Sequence, residues 1–191
     1  MRDIRENFEI ISTLMDYREE DWSILQEEAE KISHWSPELV KVFYDTLYGY
    51  DKTRAVFHEG ERPKVEKTLS EWLLSLAAGT KEMDFWEHQW VIALLHIKRE
   101  VRNIYVLGMM NRLQQILLEK CMETYDDRQR GMQVYLALLR ISGVISALIA
   151  ECYTQLQEDI TEEGLSMAGL NPGLIRRIRE NQINKMLASI N

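Results

Sequence analysis

Residues 84–108 read DFWEHQWVIALLHIKREVRNIYVLG, and the reading of the whole chain turns on them. Leu, Ile, Val, Ala and Trp recur at helical spacing through the first half, and His96 lies within the apolar run VIALLHI. Burying an imidazole costs free energy unless the ring finds a hydrogen-bond partner or binds something that needs a neutral nitrogen donor. A packed core histidine and a ligand-binding histidine therefore both remain open at this point.

Outward from that stretch the pattern stays helical. Only three prolines and nine glycines interrupt 191 residues, and the pieces between them are rich in good helix formers. The chain is expected to be all-α. Helices are predicted over about 2–15, 19–34, 36–48, 63–78, 83–99, 104–124 and 127–159. Ser36-Pro37 offers an N-cap and a first-turn proline for the third of these, and Gly79 a C-cap for the fourth. Residues 49–63 form an irregular corner with Val56-Phe57 as its apolar anchor. Gly164 and Ala168-Gly169 predict a loop, and Asn171-Pro172 starts a last, locally basic helix, expected to dock on the acidic body of the protein.

The formal charge of −8, from 31 acidic and 23 basic residues, argues against a general nucleic-acid grip. The apolar runs VIALL and VISALIA are far shorter than a membrane span, and the N-terminus lacks the apolar core of a signal peptide. Cys121 and Cys152 lack metal-ligand spacing and read as buried thiols. A cytoplasmic protein is expected, with no nucleic-acid partner and no membrane role.

Further spacings bring out a family resemblance. His96 is preceded by Ile92 and followed by Tyr105 and Gly108; Phe43-Tyr44 lies on the third helix, 52 residues before the histidine at Tyr44; Thr68-Leu69 begins 28 before it; and the fourth helix closes in Ala78-Gly79. Over about Trp22–Tyr153 the chain resembles the globin-coupled sensor and protoglobin branch of the globins. The resemblance implies a globin-like helical sandwich with an extra N-terminal helix, residues 1–160 forming a sensor-type globin domain and 161–191 a C-terminal amphipathic helical extension. It implies haem b as cofactor, His96 as the iron ligand, and a pocket that includes Tyr44, Phe57, Thr68, Leu69, Ile92 and Tyr105. The family often has glycine four residues after the histidine and proline seven after; this chain has Glu100 and Asn103. The turn there is expected to differ.

The chemistry of these residue types is consistent with such a role. A neutral imidazole nitrogen binds haem iron on one face and leaves the other available to a gas. Ile92, Ala93, Leu95 and Val101 would shield the ring. A diatomic ligand that draws charge from the iron accepts hydrogen bonds, and Tyr44 and Thr68 offer hydroxyls. Such a bond is worth roughly 1.5–3 kcal/mol, enough for a tenfold or greater change in affinity. Lys98, Arg99 and Arg102 are candidates to meet haem propionates, and His58 is a possible spare ligand near the corner. The leading reading is a sensor globin that binds O2, or CO or NO, and signals to a separate protein. A homodimer through the last two globin helices is also expected, with Ser142, Gly143, Ser146 and Ala147 allowing close approach. The alternatives are a haem-free globin-fold regulatory module, and a haem enzyme that removes nitric oxide with an external reductant.

Overall fold

The structure, a computed structural model, describes residues 4–79, 82–167 and 172–188. It is all-α among those residues: α1 (Ile4–Leu14), α2 (Glu20–Glu27), α3 (Ala29–Gly49), α4 (Asp51–Arg54), α5 (Arg62–Ala78), α6 (Met83–Lys98), α7 (Asn103–Thr124), α8 (Arg128–Met167) and α9 (Pro172–Ala188). Two compact units emerge, Arg2–Tyr153 and Thr154–Asn191.

In the larger unit α3 packs on α5 and α7, α2 on α5, and α1 on α6. Trp22, Leu39, Trp86, Leu113, Ile145 and Leu148 form the fully buried centre. The N-terminal helix is held by aromatic contacts: Phe8 lies 4.8 Å from Trp86, and the Tyr17 hydroxyl accepts the Trp22 indole N–H at 2.8 Å. Burial without compensation would make Asp21 costly, but Arg140 of α8 meets it with two parallel bonds of 2.9 and 2.5 Å.

The first helical boundaries depart from expectation. Ser36-Pro37 does not start a helix; both residues lie inside α3, and the chain breaks instead at Glu28. Proline removes one helical hydrogen bond, yet Ile32, Trp35, Leu39 and Val40 are buried on either side of it. Ser36 is buried as well, its hydroxyl 3.1 Å from that of Ser70 on α5. Packing thus outweighs the local stop signal. At the true break the Glu28 carboxylate accepts bonds from Lys31 at 2.7 Å, the Tyr125 hydroxyl at 2.7 Å and Arg130 Nε at 2.8 Å. Burial alone would raise its pKa, but these donors hold it down at about 2.

The corner before α5 is less irregular than expected, because it contains the short helix α4. Gly79 does terminate α5, at φ +66°, and the Gln26 amide donates to the carbonyls of Ala78 and Gly79 at 3.1 and 3.2 Å. A Cβ there would stand 2.7 Å from the Gln26 side chain, so glycine is required twice over.

Gly164 does not mark a loop; it lies within α8, which runs on to Met167. Ala168-Gly169 and Asn171 lie outside the described residues. In α9 Ile178 is exposed, and the side chains of Leu174, Ile175, Met186, Leu187 and Ile190 lie outside the description. Within Arg128–Leu165 an 18-residue stretch is long and apolar enough to cross a membrane, but half of that stretch is buried inside the fold. A core helix meets the same criterion.

Candidate functional site

Within the larger unit lies a cavity of about 510 Å³. One wall is the face of α6 that carries Gln89, Ile92, His96 and Arg99, at helical positions i, i+3, i+7 and i+10. The facing wall is built by Phe43, Tyr44 and Leu47 of α3 and by Val65, Thr68, Leu69 and Trp72 of α5. Tyr105, Met109 and Leu113 of α7 and Ile145 and Ile149 of α8 close it.

His96 Nδ1 sits 2.8 Å from the carbonyl oxygen of Ile92. A carbonyl only accepts, so Nδ1 carries the proton and the Nε2 lone pair is left available. Burial lowers the His96 pKa; the bond to Ile92 opposes this and the nearby Arg99 charge reinforces it. Burial thus favours the neutral ring, and the bond to Ile92 sets its tautomer and orientation.

The opposite wall is wired differently. The Tyr44 hydroxyl donates to the Val65 carbonyl at 2.8 Å, tying α3 to α5. Burial is the main reason its pKa rises above the usual phenol value, with Tyr48 and Glu66 adding to it. The Thr68 hydroxyl donates to Lys64 O at 3.1 Å on its own helix. Phe57 stacks on Tyr48 at 4.8 Å and meets the Tyr44 ring edge-on at 6.0 Å.

The seven residues singled out from the sequence, Tyr44, Phe57, Thr68, Leu69, Ile92, His96 and Tyr105, all line this one cavity. Leu95 and Val101 line it too, whereas Ala93 is fully buried elsewhere and shields nothing here. Of the three cations considered, Arg99 reaches the cavity and Lys98 and Arg102 do not. His58 is exposed and absent from the lining, so it is no spare ligand; its backbone N–H donates to Glu61 at 3.0 Å. Sequence reasoning missed Glu61, Lys64, Trp72 and Gln89. The last two are joined, Trp72 Nε1 donating to Gln89 Oε1 at 2.9 Å, and Gln89 is buried. Their helical registers, four residues after Thr68 and seven before His96, would have placed them on the same faces.

The turn after His96 is closed by two backbone bonds. Val101 N–H bonds back to His96 O at 3.0 Å and Glu100 N–H to Ile97 O at 2.9 Å, while Glu100 adopts φ +58°. This pair of bonds with a left-handed residue between them is a Schellman ending, in which glycine is usual. Asn103, where relatives often have proline, is the first residue of α7, the helical position that proline favours. Its side-chain Oδ1 is buried without a hydrogen-bond partner. Glutamate and asparagine thus occupy a backbone suited to glycine and proline. Tyr153 of α8 secures it, donating to Val101 O at 2.7 Å.

Helices packed around one apolar pocket are the layout of the globin fold. The family model described as Protoglobin matches residues 6–159, and the chain belongs to that family. The fold is similar to the globin domain of the globin-coupled sensor of Geobacter sulfurreducens, at 22% identity and a TM-score of 0.71 over 76% of this chain and 96% of that one. It is also similar to the globin domain of DosC from E. coli in its ferric form, at 17% identity and a TM-score of 0.59 over 78% of this chain and 99% of that one. No curated protein matches the chain.

Proposed function

We propose that this protoglobin binds haem b through His96 and takes up a diatomic gas, chiefly O2, reversibly, as a sensor that signals to a separate partner. The observation that carries the reading is the His96 ring: neutral, with Nδ1 committed to Ile92 and Nε2 available, on the wall of an apolar cavity of about 510 Å³. Its size is in the range of cofactor pockets. Among the described residues no group of three or more His, Cys, Asp or Glu is placed to hold a metal ion. A metal bound at His96 therefore has to bring its other ligands with it, as a porphyrin does.

When bound, haem supplies an iron with one coordination position open to O2, CO or NO. Ile92, Leu95 and Val101 keep water from the His96 side. Leu69, Phe57 and Tyr105 provide apolar and aromatic surface for the macrocycle. Tyr44 supplies the hydroxyl for a bound gas, at the cost of its bond to Val65.

Residues to about 160 act as the gas-binding domain and 161–191 as an extension. Gly143, Ser146 and Ala147 of α8 line a groove with Leu107 and Met110 of α7, closed at one side by Met15 after α1, and the small residues suit a homodimer through α7 and α8. Ser142 takes no part in that groove, since it is buried and its hydroxyl accepts from Gln114 at 2.9 Å. The overall acidity and the burial of half of the apolar α8 window support a soluble, cytoplasmic protein. Titration of the purified chain with haemin tests the reading. A Soret band growing to one equivalent supports it, and failure to develop one overturns it.

A further inference from the structure

The apolar cavity has one charged end. Glu61, Lys64 and Arg99 are grouped there, and Glu61 and Arg99 are joined by a two-pronged ion pair. Arg99 Nη1 donates to Glu61 Oε1 at 2.7 Å and Nη2 to Oε2 at 2.6 Å, with a further contact from Nη2 to Val56 O at 3.3 Å. The partners lie at helix ends on opposite walls: Glu61 caps the start of α5 and Arg99 caps the end of α6, three residues beyond His96. The pair therefore ties the two helix ends together at the solvent-exposed end of the cavity.

We propose that Glu61–Arg99 is an exchangeable latch for the cofactor, Arg99 leaving the Glu61 carboxylate to pair with a haem propionate when the cavity fills. The inference rests on the haem reading. Haem is apolar except for two carboxylates, so these belong at the one end of the cavity that holds cations. A propionate presents Arg99 with the same planar, two-oxygen acceptor that Glu61 offers now, and guanidinium binds either through parallel N–H bonds. Both carboxylates cannot occupy the same fork. Glu61 therefore competes with the cofactor, and its negative charge beside a propionate is repulsive. Lys64 provides a second cation at the same end, so the exchange does not leave two carboxylates sharing one charge.

The latch predicts opposite effects from its two halves. Glu61→Gln removes the competitor, so haemin uptake quickens and its loss to an apo-protein scavenger, followed at the Soret band by stopped flow, slows several-fold. Arg99→Met removes the propionate partner and speeds loss about tenfold. Arg99→Lys, which keeps the charge without the fork, falls between. Lys98→Met, outside the cavity, serves as the control and leaves both rates unchanged. Haemin dimethyl ester, which has no propionate charge, should respond to neither substitution. If Glu61→Gln and Arg99→Met both speed loss, the pair is a fixed structural staple and the exchange is wrong. Unchanged rates in both, or equal effects on the ester, overturn it as well. Should the wild-type chain take up no haemin, the haem reading falls and the latch with it. Should it take up haemin while the two variants agree in sign, the latch alone falls.

Discussion

The two walls of the cavity spend their polar groups in opposite ways. On α6, His96 uses one ring nitrogen for structure and keeps the other for chemistry, because its internal bond to Ile92 consumes only Nδ1. Across the cavity the hydroxyls of Tyr44 and Thr68 each have one proton, and both give it to backbone carbonyls, Val65 and Lys64. The imidazole wall is ready to act without moving, whereas the tyrosine wall must break a bond before it can donate elsewhere. Two nitrogens on one ring allow this; one O–H does not. The comparison predicts that cofactor retention depends steeply on α6 and that gas affinity depends only moderately on α3 and α5.

The largest expected effect comes from deleting the imidazole. His96→Ala should abolish the Soret band of the reconstituted protein while leaving far-UV helicity nearly unchanged, because His96 is only part-buried and its structural bond is local. Recovery of the band with free imidazole would identify a missing ligand rather than a collapsed cavity. A His96→Ala variant that keeps wild-type haem binding would break the comparison at its root.

Next in size is the turn that carries His96 out of α6. Glutamate in a left-handed conformation costs about 1–2 kcal/mol, which glycine avoids. Glu100→Gly should therefore raise unfolding stability by about 1 kcal/mol in urea titration. Asn103→Pro should add roughly 0.4–1 kcal/mol by restricting the unfolded chain. The first helical position needs no N–H donor, and Arg102 already has the extended backbone (φ −72°, ψ 137°) that suits a residue before proline. A destabilised Glu100→Gly would mean that the Glu100 side chain contributes more than its backbone strain costs.

This turn also shows how far sequence alone could go. The face of α6 is legible because helical periodicity is local: Ile92 and His96, four residues apart, share it and line one cavity. The same local logic failed at Ser36-Pro37, where packing on both sides of the proline keeps α3 continuous. It also failed at Glu28, whose burial is compensated by Tyr125 and Arg130, about a hundred residues away in sequence. No window of neighbouring residues contains those partners. Gln89 follows Glu87 and His88, so nothing local marks it for burial. Only its contact with Trp72, on another helix, explains its burial. Gly164 resembles a break because glycine weakens helices, yet a helix as long as α8 accommodates one.

On the tyrosine wall the expected effect is smaller than the residue type alone suggests. A hydroxyl donating to a partly charged gas gains roughly 1.5–3 kcal/mol, but Tyr44 first gives up a neutral bond worth about 0.5–1.5 kcal/mol. The net is about 1 kcal/mol, so Tyr44→Phe should raise the O2 dissociation rate about fivefold in stopped flow, short of the tenfold expected from the sequence. Thr68→Val should change it less, since Thr68 is exposed and bonded within its own helix. A rate unaltered in Tyr44→Phe would mean that the hydroxyl never leaves Val65, and the wall is then purely structural. A rise far beyond tenfold would mean that the bond to Val65 is already lost in the loaded protein.

The smallest signal is in the pH dependence of the cofactor-free chain, and it separates the walls by sign. His96 is a base whose folded pKa lies below its ordinary 6.5, mainly because burial disfavours the charged ring. As pH falls through about 6.5 the unfolded chain takes up a proton that the folded chain refuses, so stability declines until the folded pKa is passed. The carboxylates held low, Glu28, Asp45 and Glu61, start from ordinary values of 4.5, 3.8 and 4.5 and so act further into acid. Tyr44 is an acid whose folded pKa is raised from 10.0 by burial. Above about pH 10 the unfolded chain loses a proton that the folded chain keeps, and stability declines from the other side. Tyr17, Tyr48, Tyr125 and Tyr153 are raised as well and share that alkaline loss. Urea midpoints measured from pH 5 to 11 should therefore flatten near pH 6 in His96→Gln and only be trimmed above pH 10 in Tyr44→Phe. If His96→Gln leaves the acid side unchanged, the ring is not held neutral by burial, and the α6 wall loses the property that sets it apart from the other.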